Sequence, residues 1–176
     1  REIYNRRTAN EHIIRSSEIL SKFSRNLVPT AYDIILDNPW EKPEDLVETL
    51  NLLSKLKRPF ALNIFSLKFY PHTEIYEKAL RDGIINVAEN SMDRPKSYFN
   101  WETSYLNCLI ALEGLVPIPS FLKRYLLSKR MVNKNPVLPR VFGGILNILT
   151  MAKKVYYMVM KRDVTMLPYS LARLLR

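Results

Sequence analysis

Apolar and polar positions along the first half of the chain follow two different periods. In residues 8–26, Ile13, Ile14, Ser17, Leu20 and Ser21 fall on one side of a helix. Thr8 stands at its start as a cap, with Glu11 three residues on as in a capping box. Residues 31–37, AYDIILD, read as a strand by length and β-branched content. Its unbroken Ile34-Ile35-Leu36 run predicts burial on both faces of a helix-covered parallel sheet. Residues 43–57 return to helical spacing, with Leu46, Leu50, Leu53 and Leu56 on one face. Pro43 suits the first helical position, Glu44 and Asp45 the positive end, and Lys55 and Lys57 the negative end. Pro59 stops that helix, and 60–67, FALNIFSL, alternate as a second strand. Residues 73–82 form a short helix capped by Thr73, with Ile75, Tyr76, Ala79 and Leu80 inward and Gly83 at its end.

The order helix, strand, helix, strand, helix contains one parallel βαβ unit with a right-handed crossover. Two parallel strands do not make a stable sheet alone. The expected fold class is therefore α/β: the C-terminal part of a partial (β/α) TIM-type barrel, followed by an α-helical basic extension. The division falls at residues 1–85 and 86–176. In the second segment, 90–100 read as a polar loop, and helices are expected over 101–114, 120–131 and 141–161, with a short apolar and basic segment at 165–176.

Charge sharpens this division. Residues 1–100 hold 15 Lys and Arg against 14 Asp and Glu, whereas 101–176 hold 12 against 3. An asymmetry of this size marks a change of role. The basic helix around Lys123, Arg124, Lys129 and Arg130 has three readings: a cover for the barrel with a solvated outer face, a peripheral contact with an anionic membrane, or a nucleic-acid surface. Basic charge alone does not favour the last. At 47% hydrophobic and 25% charged the 176-residue chain is globular. Its one cysteine, Cys108, excludes an internal disulfide framework and any multi-cysteine metal site made from this chain alone. Cys108 reads as a buried small hydrophobe and His12 as structural. There is no long uninterrupted apolar run and no charged-then-apolar start with a cleavage site, and a start at Arg1 suggests a fragment of a longer protein, expected to be cytoplasmic or peripheral to a membrane.

Ligands of parallel α/β folds sit at the carboxyl ends of the strands. Both strands here end in similar corners, D-N-P-W-E at 37–41 and F-Y-P-H-T at 69–73. Each sets a proline just past the strand and polar groups beside it. The same chemistry serves a plain strand-to-helix turn, and Trp40 suits either a pocket wall or rim packing.

The paired segments D-I-I-L-D-N-P-W-E-K-P-E-D-L and R-P-F-A-L-N-I-F-S-L-K-F-Y-P-H-T-E-I-Y-E-K-A-L-R-D-G-I-I resemble the later half of the radical S-adenosylmethionine barrel. The resemblance covers residues 1–85 and is nearest to the group that carries a cobalamin-binding domain ahead of the barrel. It implies that Ile35 packs on the adenine of S-adenosylmethionine, that Asp37, Asn38, Pro39 and Glu41 form the rim beneath the nucleoside, and that Tyr70, Pro71 and His72 form the neighbouring lip. Asp33, Asp37 and His72 stand where that family tends to have glycine. The resemblance also implies a [4Fe–4S] cluster, and cobalamin, held by a missing N-terminal half of the same protein. The CxxxCxxC loop that binds the cluster is not in this chain, and Cys108 cannot replace it. The implied function is a share of the cofactor and substrate pocket for radical methyl transfer or rearrangement, on a small-molecule or lipid-like substrate. This chain alone would be inactive. The alternative is a non-catalytic module that binds a membrane surface or a protein partner through its basic helices.

Overall fold

A computed structural model describes residues 8–23, 30–86, 101–128, 131–132 and 138–161, with backbone alone at 153–154 and 156–161. The expected loop 90–100, the linker residues 26–29, Lys129, Arg130 and the segment 165–176 lie outside the described residues.

Among the described residues the fold is α/β, with six helices and one two-stranded parallel sheet. The elements are α1 (Asn10–Ser21), β1 (Thr30–Leu36), α2 (Pro43–Lys55), β2 (Phe60–Ser66), α3 (Glu74–Arg81), α4 (Tyr105–Leu115), α5 (Ser120–Leu126) and α6 (Leu138–Lys161). The two strands pair from Thr30 with Phe60 to Leu36 with Ser66.

Local signals account for most element ends. Pro43 opens α2, and the Asp45 carboxylate accepts the N–H of Lys42 at 2.8 Å, so the first turn holds itself closed. The Thr73 hydroxyl accepts the N–H of Tyr76 at the start of α3. Gly83, at φ +68°, ends α3. Other ends differ from expectation: the helix expected over 101–114 begins at Tyr105, and the one over 141–161 begins at Leu138. The residue ahead of α1 is Ala9, with no side-chain cap, because the helix begins two residues past Thr8. The basic helix expected over 120–131 is a short α5 that ends at Leu126.

The sheet is not buried on both faces. Tyr32, Ile34 and Leu36 alternate with the exposed Ala31, Asp33 and Ile35. Leu36 joins Leu50, Leu53, Leu56 and Phe60 in a core that also takes Tyr105, Leu106, Leu109, Ile110, Ile118 and Leu126. One core therefore runs across the sequence boundary near residue 85. The Ile-Ile-Leu run misled because Ile34 and Leu36 point to this core while Ile35, between them, points away.

Helix α4 is buried on nearly every side, which its uniformly apolar sequence requires. One side meets α2 and β2; the other meets α6 through Cys108, Ala111 and Leu146. Close approach to the sheet depends on Gly114, where an added Cβ would lie 2.5 Å from the Leu62 Cδ1. The start of α4 contacts Asp37 at the carboxyl end of β1, and its end contacts Arg58 just before β2. The helix therefore runs antiparallel to the strands.

A buried charged group fastens the end of α4. Glu113 is 2% exposed. Its carboxylate pairs with Lys123 at 3.1 Å, lies 3.9 Å from the Arg58 guanidinium and accepts the N–H of Ile118 at 3.2 Å. Arg58 also donates to the carbonyls of Glu113 and Gly114, and Lys123 donates to the Ser54 hydroxyl. Burial pushes the Arg58 guanidinium below its ordinary value, and the Glu113 charge opposes that shift.

Candidate functional site

The two strand-end corners share an uncommon backbone feature. Asp37 has φ +61° and His72 has φ +68°. A left-handed residue other than glycine costs about 1–2 kcal/mol, and aspartate tolerates it through local hydrogen bonds. Asp37 is held instead by long-range bonds: its Oδ1 accepts from the Asn107 amide and its Oδ2 from the Glu102 N–H, both at 2.9 Å. Asn107, 3% exposed, also donates to the Glu102 carbonyl. The Asp37 carboxylate thus ties the β1 corner to the entry of α4.

Asn38 builds the turn itself. Its side-chain oxygen accepts the N–H of Trp40 at 3.1 Å, and its carbonyl accepts the N–H of Glu41 at 3.0 Å. Pro39, between them, is exposed. Glu41 is partly buried, and that burial, with the charge of Asp45 second, raises its carboxyl above the usual carboxylate range. Trp40 packs edge to face on Phe69 at 5.8 Å, and its indole N–H donates to Asp82 at 2.7 Å. Lys78 pairs with Asp82 and sits 4.9 Å from the Trp40 ring centre. Hydrogen bonds from Lys78 and then from Trp40 hold the Asp82 carboxyl below its ordinary value. Trp40 therefore joins the first corner to α3, which follows the second.

At that second corner the Tyr70 carbonyl accepts from both the N–H and the hydroxyl of Thr73. Tyr70 is 47% exposed and Pro71 partly buried. His72 is exposed and borders an open hollow of about 570 Å³ with Thr73, Glu74, Glu77 and Arg81.

Ile35 belongs to a different surface, the open face of the sheet. Register sets Ala31 beside Ala61, Asp33 beside Asn63, and Ile35 beside Phe65. The Asn63 amide donates to Asp33 at 2.8 Å, and Ile35 is 39% exposed. This face presents a small pair, a hydrogen-bonded polar pair and an apolar pair, in order toward the carboxyl ends. Asn63 was not evident in the sequence. Laying the two seven-residue strands in parallel register, with Thr30 on Phe60, would have set it opposite Asp33.

Among the described residues no cluster of three or more His, Cys, Asp or Glu could hold a metal ion. Burial pushes the Cys108 thiol up to about 11, so at neutral pH it is protonated and a poor ligand or nucleophile. No family model matches this chain, and neither does any curated protein or solved structure.

The double role of Asp37 can be separated by substitution. Asp37→Ala removes both hydrogen bonds and keeps a Cβ at positive φ; the expected loss is about 2 kcal/mol. Asp37→Gly removes the same bonds but relieves the backbone, so it should be the more stable of the two by about 1 kcal/mol. Urea midpoints of the two variants check this order.

Proposed function

We propose that this chain is the carboxyl-terminal part of a radical S-adenosylmethionine barrel, contributing one side of the nucleoside and substrate pocket. The observation that carries this reading is the repeated left-handed corner. Asp37, the residue after β1, and His72, six residues after the end of β2, are two of the three positions where the resemblance expects glycine, and both have positive φ. The open sheet face adds support, since barrel interiors are lined by alternate strand residues, here Asp33 and Ile35 opposite Asn63 and Phe65.

The residues present fit part of the implied cofactor set. Ile35 at the carboxyl end of the open face suits the flat apolar face of a purine. Asn38 and Glu41 supply polar groups at the adjoining rim, with Tyr70 and His72 at the next. The iron–sulfur cluster has no fit here: one buried, protonated thiol cannot hold it. No chemical step through the cluster is assigned to this chain. Its part is to bind and orient the nucleoside and to close one wall against water. Radical methyl transfer or rearrangement is the reaction class of the whole protein in this reading, with cobalamin as a further cofactor held elsewhere.

The test uses the full-length protein, prepared without oxygen and reconstituted with iron and sulfide. It should show a cluster signal that changes when S-adenosylmethionine is added. Ile35→Asp should weaken S-adenosylmethionine binding by about tenfold to a hundredfold, the value of burying one such side chain. Absence of a cluster, or an unchanged affinity in the variant, would sink the proposal.

A further inference from the structure

The helix α6 carries an apolar stripe that nothing in the core uses. Its inner side docks on α4 through Phe142, which meets Tyr105 edge to face at 5.4 Å, and through the buried Leu146. Val141, Ile145, Ile148, Met151 and Val155 recur at intervals of three and four along another side. They are 40–69% exposed, with Ile148 and Met151 the most open. Single exposed apolar residues are ordinary, but a stripe of five over several turns marks a contact surface.

The charge of the segment that carries it selects the occupant. Residues 114–162 contain no Asp or Glu and ten Lys or Arg. On α6 these are Arg140, Lys153, Lys154 and Lys161. A second copy of the chain would set this net positive segment against itself. Nucleic acid would answer the charge but leave the apolar stripe in water. Among the described residues no helix is long and apolar enough to cross a membrane. An anionic bilayer surface satisfies both features, since apolar side chains enter the headgroup boundary while Lys and Arg meet phosphates. On α5, Phe121 and Tyr125 are likewise open, 76% and 63% exposed, beside the exposed Arg124. Aromatic residues of this kind favour the membrane–water boundary.

We infer that α6 lies along an anionic membrane surface through its Val141–Val155 stripe, as a peripheral contact. This does not rest on the barrel reading, and vesicle binding is read without cluster or S-adenosylmethionine, so the two can fail separately. The full-length protein should co-sediment with phosphatidylcholine vesicles containing about a third phosphatidylserine, at least about tenfold better than with phosphatidylcholine alone, and less well as salt rises. Replacing two open residues together, Ile148→Asp with Met151→Asp, should reduce that binding by about tenfold or more while leaving circular dichroism and the melting temperature unchanged. No binding to the anionic vesicles, or equal binding by the variant, would overturn the inference. So would a concentration-dependent dimer in light scattering that the same two substitutions abolish, because the stripe would then belong to a second copy.

Discussion

Glu113→Ala is expected to destabilise the protein by about 3–5 kcal/mol, the usual cost of leaving a buried charge without its partner. The carboxylate lost pairs with Lys123, accepts the Ile118 N–H and lies 3.9 Å from the Arg58 guanidinium. Lys123, 9% exposed, would keep its ammonium in a site where, among the described residues, the Ser54 hydroxyl is its remaining hydrogen-bond partner. Arg58 would lose the charge that opposes its desolvation. The source of the loss can be isolated. Lys123→Met in the Glu113→Ala background should recover most of it, because a flexible apolar side chain replaces the unpaired ammonium. Urea unfolding followed by far-ultraviolet circular dichroism measures both. A double variant no more stable than the single one would show that the carboxylate acts through the Ile118 N–H instead.

Leu109→Ala should cost about 2–5 kcal/mol, the range for deleting a fully buried leucine. Leu109 is wholly inaccessible and sits in the core that joins β1, α2, β2, α4 and α5. The shape of the unfolding curve is the stronger test. Because residues from both sides of position 85 share that core, the variant should unfold in one transition at lower urea, by every probe. Two separate transitions, with only one moved, would mean that the helical segment and the βαβ unit are energetically independent.

Much of the fold is legible in the sequence where local chemistry decides it. Pro43, Asp45, Thr73 and Gly83 each mark a helix end that depends on neighbours within four residues. The leucines of α2 and the alternation of β2 are equally local. What escaped is what depends on distant segments. Whether Ile35 is covered follows from which elements pack on the sheet, and no property of Ile34-Ile35-Leu36 contains that. The cap expected at Thr8 was a correct motif in a place where the helix starts later. In the site, the sequence marked Asp37 by its proline neighbour and its odd position, but its two bonding partners lie 65 and 70 residues away. Asn63 went unmarked for the same reason, since its partner Asp33 is fixed only by register.

The tie between Asp37 and the entry of α4 has a further meaning. One carboxylate serves both the rim of the β1 corner and the seating of a helix in the core. Each oxygen keeps a second lone pair, so only a group that displaces the Glu102 or Asn107 donor competes with helix seating. Corner occupancy and helix seating are then linked equilibria, and linkage is reciprocal: whatever free energy the seated helix withholds from a ligand there, the ligand withholds from the helix. For such a group, the corner would couple the strands to the far half of the chain.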